Sequence, residues 1–371
     1  MFDDSSWSRA VVEEHSVALD PQRGPPVRKL FELTPQKITR IGDTWIVDLG
    51  QNMVGHVRLS ARGPAGTTIR VRHAEMLNTN GTLYTENLRP ALSTDTFILK
   101  GAGRETFEPH FTFHGFRYVE VTGFPGKLTP NDVRGIVVAS DTPPTGTWEC
   151  SDKNLNQLFS NIVWGQRGNF LSVPTDCPQR DERMGWMGDA QVFAPTAARN
   201  ADVSAFFTKW MVDVNDAKTY RGDFANYSPR VAQPQPGWPV WADAGIIVPW
   251  VMFTSYDDKA FLANNYTNMT RWLDYCVRTA NNFILTGGVG DHLAPRRTPV
   301  EVVDTAYFAN SAHIVSKAAA ILGKTEDAAR YEKLFRDITD AFNKSFVSPD
   351  GTIRGDTQTG YLLALQFGLL P

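Results

Sequence analysis

Between Pro174 and Asp189 the chain reads PTDCPQRDERMGWMGD, which sets Asp176, Asp181, Glu182 and Asp189 beside Arg180, Arg183, Trp186 and two glycines. Carboxylates this close raise one another's pKa, so one can stay protonated as a general acid while others stay ionised and hold hydroxyl groups. Trp186 supplies an apolar wall. The plainer reading is a solvated loop of salt bridges with Asp189 as the N-cap of the next helix. A second stretch, PGWPVWADAG at 236–245, places Trp238, Trp241 and Asp243 on a stiff loop that opens a helix. It suits the presentation of rings and a carboxylate at one rim, although Asp243 alone reads equally as an N-cap. A third, GGVGDH at 287–292, carries Asp291 and His292 after a flexible loop. No Lys-Ser/Thr follows and no strand precedes, which speaks against a phosphate cradle. The spacing offers Asp291 and His292 no further metal ligands, so no metal or other cofactor is expected. Seven of the ten tryptophans fall between 164 and 272, divided between core packing and flat platforms for sugar rings.

Two kinds of element must position these residues. From about 27 to 149 the pattern has period two: Ile69, Val71 and His73 share one face and Arg70 and Arg72 the other. Similar runs at Trp45–Val47, His56–Leu59, Phe97–Leu99, Phe116–Val121 and Ile136–Val138 are separated by Gly-, Pro- and Asn-rich turns. They predict an antiparallel β-sandwich over residues 21–149. Helical spacing begins after Cys150, with Ser151 as expected N-cap and Leu155, Leu158, Phe159 and Ile162 as a buried stripe. Eight helices are expected, near 152–170, 189–198, 201–218, 243–255, 258–280, 303–322, 326–346 and 357–368. Gly323 should stop the sixth and Thr325 cap the seventh. Paired helices of this length over 150–371 suggest an α/α toroid or a helical solenoid, with no fixed-period repeat to support the solenoid. The first 20 residues read as the remnant of a preceding β-domain. Leu362 to Pro371 reads as an apolar helical stretch stopped in its middle, so the chain reads as an internal fragment.

Composition narrows the partners. The 371 residues are 42% hydrophobic and 21% charged, with a net charge of −3, which gives no long-range pull toward nucleic acid or anionic lipid. A neutral partner is expected, and oligomeric state is not legible. Three cysteines, Cys150, Cys177 and Cys276, form no disulfide framework or zinc spacing and read as reduced thiols. No run of about 18 apolar residues could span a bilayer, and the N-terminus lacks the order of a secretory signal. As written the chain reads as cytoplasmic, with export open if the natural N-terminus lies further upstream.

The string DCPQRDERMGWMGDAQVFAPTA, Asp176 to Ala197, resembles the signature of bacterial α-L-rhamnosidases of glycoside hydrolase family 78. The β-region adds VDLGQNMVG at 47–55, RHAE at 72–75 and FTFHGFRYVEV at 111–121, so the resemblance spans essentially the whole chain. It implies an inverting hydrolase that releases terminal α-L-rhamnose from rhamnose-containing glycosides, on a β-sandwich followed by an incomplete (α/α)6 barrel. By the same resemblance Glu182 is the general acid. Asp176, Arg180, Trp186 and Asp189 bind the sugar, Trp241 is an aromatic subsite residue, and Gly290-Asp291-His292 stands where the family commonly has Gly-Asp-Trp. Asp176 and Asp189 are expected to help keep Glu182 protonated. Arg180 and Arg183 oppose this, so at least one must point away or pair with an aspartate. A second carboxylate, roughly 6.5–9.5 Å from the acid, activates water in such enzymes. The family's base is a glutamate late in the barrel, and it has no counterpart before Pro371. Six hairpins need two helices each, more than the eight seen here. Calcium occurs in some relatives, but no oxygen-ligand loop here demands it. The alternatives are a truncated, non-catalytic carbohydrate-binding protein or another (α/α)6 glycosidase.

Overall fold

The structure is a computed structural model that describes residues 3–14, 16, 17, 19–231 and 236–371. Ten strands come first: β1 (Val27–Leu33), β2 (Lys37–Ile41), β3 (Thr44–Arg62), β4 (Thr68–Ala74), β5 (Met76–Leu77), β6 (Leu83–Tyr84), β7 (Thr94–Ile98), β8 (Arg104–Phe107), β9 (His114–Thr122) and β10 (Val133–Ser140). Eight of them form one antiparallel sheet in the order β1-β10-β3-β9-β4-β7, with β2 and β8 also paired to β3. The two runs read at 45–47 and 56–59 are thus one strand of 19 residues. It survives the glycines because the register slips between Asp48 and Met53, where the Asp48 carboxylate takes the Gly50 N–H at 2.7 Å and two bonds from Arg117. Partners change along β3: β2 and β9 near its start, β10 and β8 near its end. The enclosed core holds Val47, Leu59, Ile69, Val71, Phe116, Val119 and Val133.

After a short ribbon that follows the first helix, formed by β11 (Phe170–Leu171) and β12 (Val173–Pro174), the rest is helical. The helices are α1 (Lys153–Asn169), α2 (Met187–Asn200), α3 (Ser204–Asp216), α4 (Ala244–Tyr256), α5 (Lys259–Thr279), α6 (Val300–Ile321), α7 (Thr325–Phe346) and α8 (Gln358–Gln366). All eight expected helices are present, and antiparallel neighbours such as α6 and α7 pack as pairs. Their core is aromatic: Phe206, Phe207, Trp210, Trp272, Phe308 and Phe342 are fully buried. No helix among the described residues is long and apolar enough to cross a membrane.

Several local expectations need correction. Asp152, not Ser151, caps α1, with its carboxylate accepting the Asn154 N–H at 2.8 Å. Leu155 and Leu158 are exposed: what α1 buries is Gln166, bonded to the Ala197 carbonyl and to Asn200 of α2, and Gly168, against Val54 of β3. Gly323 does end α6, but the turn carries the chain through Lys324, so Thr325 is the first residue of α7 and not its cap. The final apolar stretch is not one helix: α8 stops at Gln366, Gly368 takes φ 67°, and the Leu369 N–H returns to the Ala364 carbonyl at 2.9 Å. The remnant read over 1–20 includes Met1, Phe2, His15 and Ala18, which lie outside the described residues. The described residues before Val27 form no helix or strand.

The β-domain and the helices meet at the residues the sequence singled out. A Cβ on Gly115 would stand 2.8 Å from Gln179, so the end of β9 touches the 176–189 loop. Trp164 of α1 meets Phe31 of β1 edge to face, and the Ser172 N–H donates to Ser140 Oγ at 2.8 Å.

Candidate active site

The 176–189 segment is a closed loop, since the Asp176 N–H donates to the Met184 carbonyl at 3.1 Å and Asp176 Oδ1 accepts the Met184 N–H at 3.2 Å. Trp186 then enters α2, which places Asp189 in the first turn of that helix and not at its cap. Arg183 is the arginine that points away. It donates to the carbonyls of Arg180 (3.0 Å) and Phe113 (2.9 Å), with its guanidinium over the Phe113 ring. Arg180 turns inward, giving two bonds to Glu182 Oε2 at 3.1 and 3.0 Å and lying 3.7 Å from Asp176.

Glu182 is the most heavily contacted carboxylate of the group. Its Oε2 also accepts from Arg89 of the β-domain at 2.9 Å, and its Oε1 accepts the Trp186 indole N–H at 3.0 Å. Partial burial pushes its pKa up, but Arg180, Arg89 and Trp186 together outweigh burial and hold it below the usual carboxylate range. Glu182 is therefore ionised in the free protein, which corrects the expectation that its neighbours keep it protonated. The raised groups are Asp176 and Asp189, in both cases first through burial and then through the other carboxylates nearby. Burial and the adjacent Asp176 push the Cys177 thiol up to about 12, so it stays protonated and is no nucleophile.

Beside this loop lies a cavity of about 600 Å³. Its wall includes Asp176, Asp189, Trp241, Asp291 and His292, over an apolar floor from Ile162, Phe193, Val303 and Leu363. Five of the eight site residues read from sequence thus line one space; Arg180, Glu182 and Trp186 are not among its lining residues, and Arg180 reaches its wall at Asp176, 3.7 Å away. Trp186, Trp238, Trp241 and His292 form a row of ring contacts with centroids 5.6–6.4 Å apart. The three stretches read separately from sequence are joined by this row. Gly188 makes it possible, because a Cβ there would stand 2.7 Å from the Trp241 ring.

Asp243 is not at the rim. It is fully buried and takes the Trp272 indole N–H (2.8 Å), the Ser311 hydroxyl (2.6 Å) and the Val240 N–H (2.7 Å), tying the Trp241 loop to α5 and α6. Asp304 is a second buried carboxylate, and the local pattern gave no sign of it. It takes the Gly288 N–H at 2.9 Å from below the glycine loop, and its other oxygen has no partner among the described residues. Burial first, and then Asp243 and Glu301, raise it to about 7. Asp291 is held by the Thr298 hydroxyl at 3.1 Å.

Among the described residues, two groups of side chains offer ligand atoms within 4.8 Å of one another: Asp176, Cys177 and Glu182, and His73, Asp95 and His114. In the first, three arginine N–H bonds occupy Glu182 Oε2 and the thiol keeps its proton. In the second, the imidazoles stack nearly parallel at 4.1 Å, so their in-plane lone pairs do not converge on one point.

Residues 143–371 match the family described as the bacterial alpha-L-rhamnosidase 6 hairpin glycosidase domain, and residues 39–139 match its concanavalin-like domain. An alpha-L-rhamnosidase of Streptomyces avermitilis is 48% identical over the whole chain, and one of Formosa agariphila 41%. The chain spans only 36% and 41% of those two proteins. The crystal structure of the Streptomyces avermitilis alpha-L-rhamnosidase complexed with L-rhamnose superposes with a TM-score of 0.92 at 50% identity, covering 94% of this chain and 34% of that one. The match over 143–371, which contains the whole 176–197 string, shows that the chain belongs to the bacterial α-L-rhamnosidase family.

Proposed function

We propose that this chain carries the sugar-binding and proton-donating side of a site that hydrolyses terminal α-L-rhamnosides with inversion. One observation carries the reading: a carboxyl fixed by Trp186, Arg180 and Arg89 stands beside a cavity walled by Asp176, Asp189, Asp291, His292 and Trp241. A deoxyhexose has one apolar face and several hydroxyls. Trp241 meets the face, and the aspartates and His292 accept or donate to the hydroxyls. The crystal structure of the Streptomyces relative is a complex with L-rhamnose, which supports the same choice of sugar.

Glu182 begins ionised and must gain a proton before it can give one. Burial is already the largest influence on it and acts upward, so a sugar that displaces water from the cavity strengthens the force that protonates it. The proton then passes to the glycosidic oxygen as the C–O bond to the leaving group breaks. Water attacks the anomeric carbon from the opposite face and loses its proton to a second carboxylate. That base is assigned to no residue of this chain.

A second reading, carbohydrate binding without catalysis, is favoured by the arginine clamp that holds Glu182 ionised. Hydrolysis of an aryl α-L-rhamnoside by the wild type and by Glu182→Gln separates the two. The catalytic reading expects a loss of about 10²–10⁴-fold in Glu182→Gln with L-rhamnose binding retained. Undiminished turnover in the variant contradicts the acid assignment, and rhamnose binding without any wild-type turnover supports the binding reading.

A further inference from the structure

We infer that Arg89 of the β-domain is a positioning residue for Glu182, and that the segment from Glu86 to Asp95 is therefore part of the active site although it lies about a domain away in sequence. The inference rests on the reading of Glu182 as the acid. Its first support is contact: Arg89 Nη1 donates to Glu182 Oε2 at 2.9 Å across 93 residues of chain. Among the described residues it is the one cation outside the loop that ion-pairs with this carboxyl.

The second support is how the segment is held. Arg89 has φ 56° and Ser93 φ 47°, a conformation that side-chain-bearing residues rarely adopt unless their surroundings impose it. Leu88, next to Arg89, is fully buried. Beyond it, the Ser93 carbonyl accepts both the backbone N–H and Nδ1 of His73, at 3.0 and 2.9 Å. A carbonyl can only accept, so His73 carries its proton on Nδ1. Burial first, and then His114 beside it, lower its pKa to about 3, which keeps it neutral in that tautomer at all working pH values. Ser93 Oγ lies 3.4 Å from His114 Nδ1, both oxygens of Asp95 lie 3.2 Å from His114 Nε2, and the two imidazoles stack. The residue before His114 is Phe113, whose carbonyl and ring hold Arg183 of the catalytic loop. One histidine–aspartate lattice thus fixes both the platform for Arg89 and the contact for the loop that carries Glu182.

The arrangement divides labour on one carboxyl. Arg180 takes Oε2 from within the loop, Trp186 takes Oε1, and Arg89 takes Oε2 from the more exposed side. The other ionisable groups facing Glu182 are Asp176, Cys177 and Asp189, none of which supplies a cation. Arg89, the more exposed of the two arginines, is the partner that can withdraw into solvent when the carboxyl takes up a proton, while Arg180 and Trp186 hold the carboxyl in its loop beside the cavity.

The test is a carbon-13 titration of the Glu182 carboxyl in the 371-residue chain, its signal assigned by its disappearance in Glu182→Gln, for the wild type, Arg89→Ala and Arg89→Lys. Removing the cation should move the midpoint up, and lysine should return most of the shift. The alkaline limb of kcat/KM for an aryl α-L-rhamnoside should move up in parallel. At the optimum, kcat should fall by up to about 100-fold in Arg89→Ala with KM within a few-fold, as for a misplaced catalytic group. An unchanged midpoint and rate in Arg89→Ala, where Glu182→Gln abolishes turnover, overturn the role of Arg89 alone. If Glu182→Gln keeps full turnover the acid reading fails instead, and the titration still decides whether Arg89 holds the carboxyl.

Discussion

Glu182, on the β-domain side of the cavity, and Asp304, beneath the glycine loop on the helical side, are both carboxylates with restricted access to water, yet they are displaced in opposite directions. Glu182 keeps about a fifth of its side chain exposed and meets two guanidinium groups, so it is held ionised. Asp304 is wholly buried with one backbone N–H and one unpartnered oxygen, so it is raised to about 7. Crowding of acids therefore does not by itself choose the proton donor. A planar donor fork aimed at one oxygen outweighs both burial and neighbouring negative charge.

The largest effect is expected on the helical side. Asp243→Ala leaves the Trp272 indole, the Ser311 hydroxyl and the Val240 N–H without their shared acceptor. Each buried donor left unpaired costs on the order of 1–3 kcal/mol, so a loss of about 3 kcal/mol or more in urea denaturation is expected. A smaller effect comes from Gly188→Ala, whose new methyl must push the Trp241 ring aside. Overpacking of this kind costs about 1–3 kcal/mol, and calorimetry should show weaker L-rhamnose binding because the ring row is displaced. The mildest change isolates the upward displacement of Asp304 from the downward one of Glu182. Because the folded pKa of Asp304 lies above its ordinary value, its favourable contribution is complete below pH 3.8 and is lost as the pH rises toward about 7. Asp304→Asn keeps an acceptor for Gly288 and removes the titration. Its denaturation midpoint should vary less across that pH window than the wild type's and exceed it above pH 7.

The two sides also differ in how far local sequence revealed them. The helices were legible because their apolar spacing is local: of the stripe Tyr331, Leu334, Phe335, Ile338 and Phe342 that the spacing predicts for α7, Tyr331, Ile338 and Phe342 are buried and Leu334 and Phe335 partly so. So was the composition of the cavity wall, since Asp176, Trp241, Asp291 and His292 fall on loops that read as loops and Asp189 at the start of a helix that reads as one. The state of Glu182 was legible only in part: the sequence set two arginines beside it, but not which one turns inward, and not Arg89, which arrives from a turn in another domain. Nor was Asp304, whose place inside α6 reads as one more helical residue and whose partner, Gly288, is set by tertiary packing. The strand β3 reads as two for a related reason. Its glycines look like turns until the bond from Gly50 to Asp48 and the pairing of Asp48 with Arg117 are known. Arg89 did leave one sign, a positive-φ residue next to a buried leucine, but that sign exists only in three dimensions.

The role of Glu182 is read most plainly from the leaving-group dependence of Glu182→Gln. A proton donor matters most when the departing alcohol is a poor leaving group and little when it is highly activated. With Glu182 as the acid, Glu182→Gln loses about 10²–10⁴-fold on an alkyl or simple phenyl α-L-rhamnoside, and far less on a dinitrophenyl one. An equal loss across the whole series would contradict the assignment.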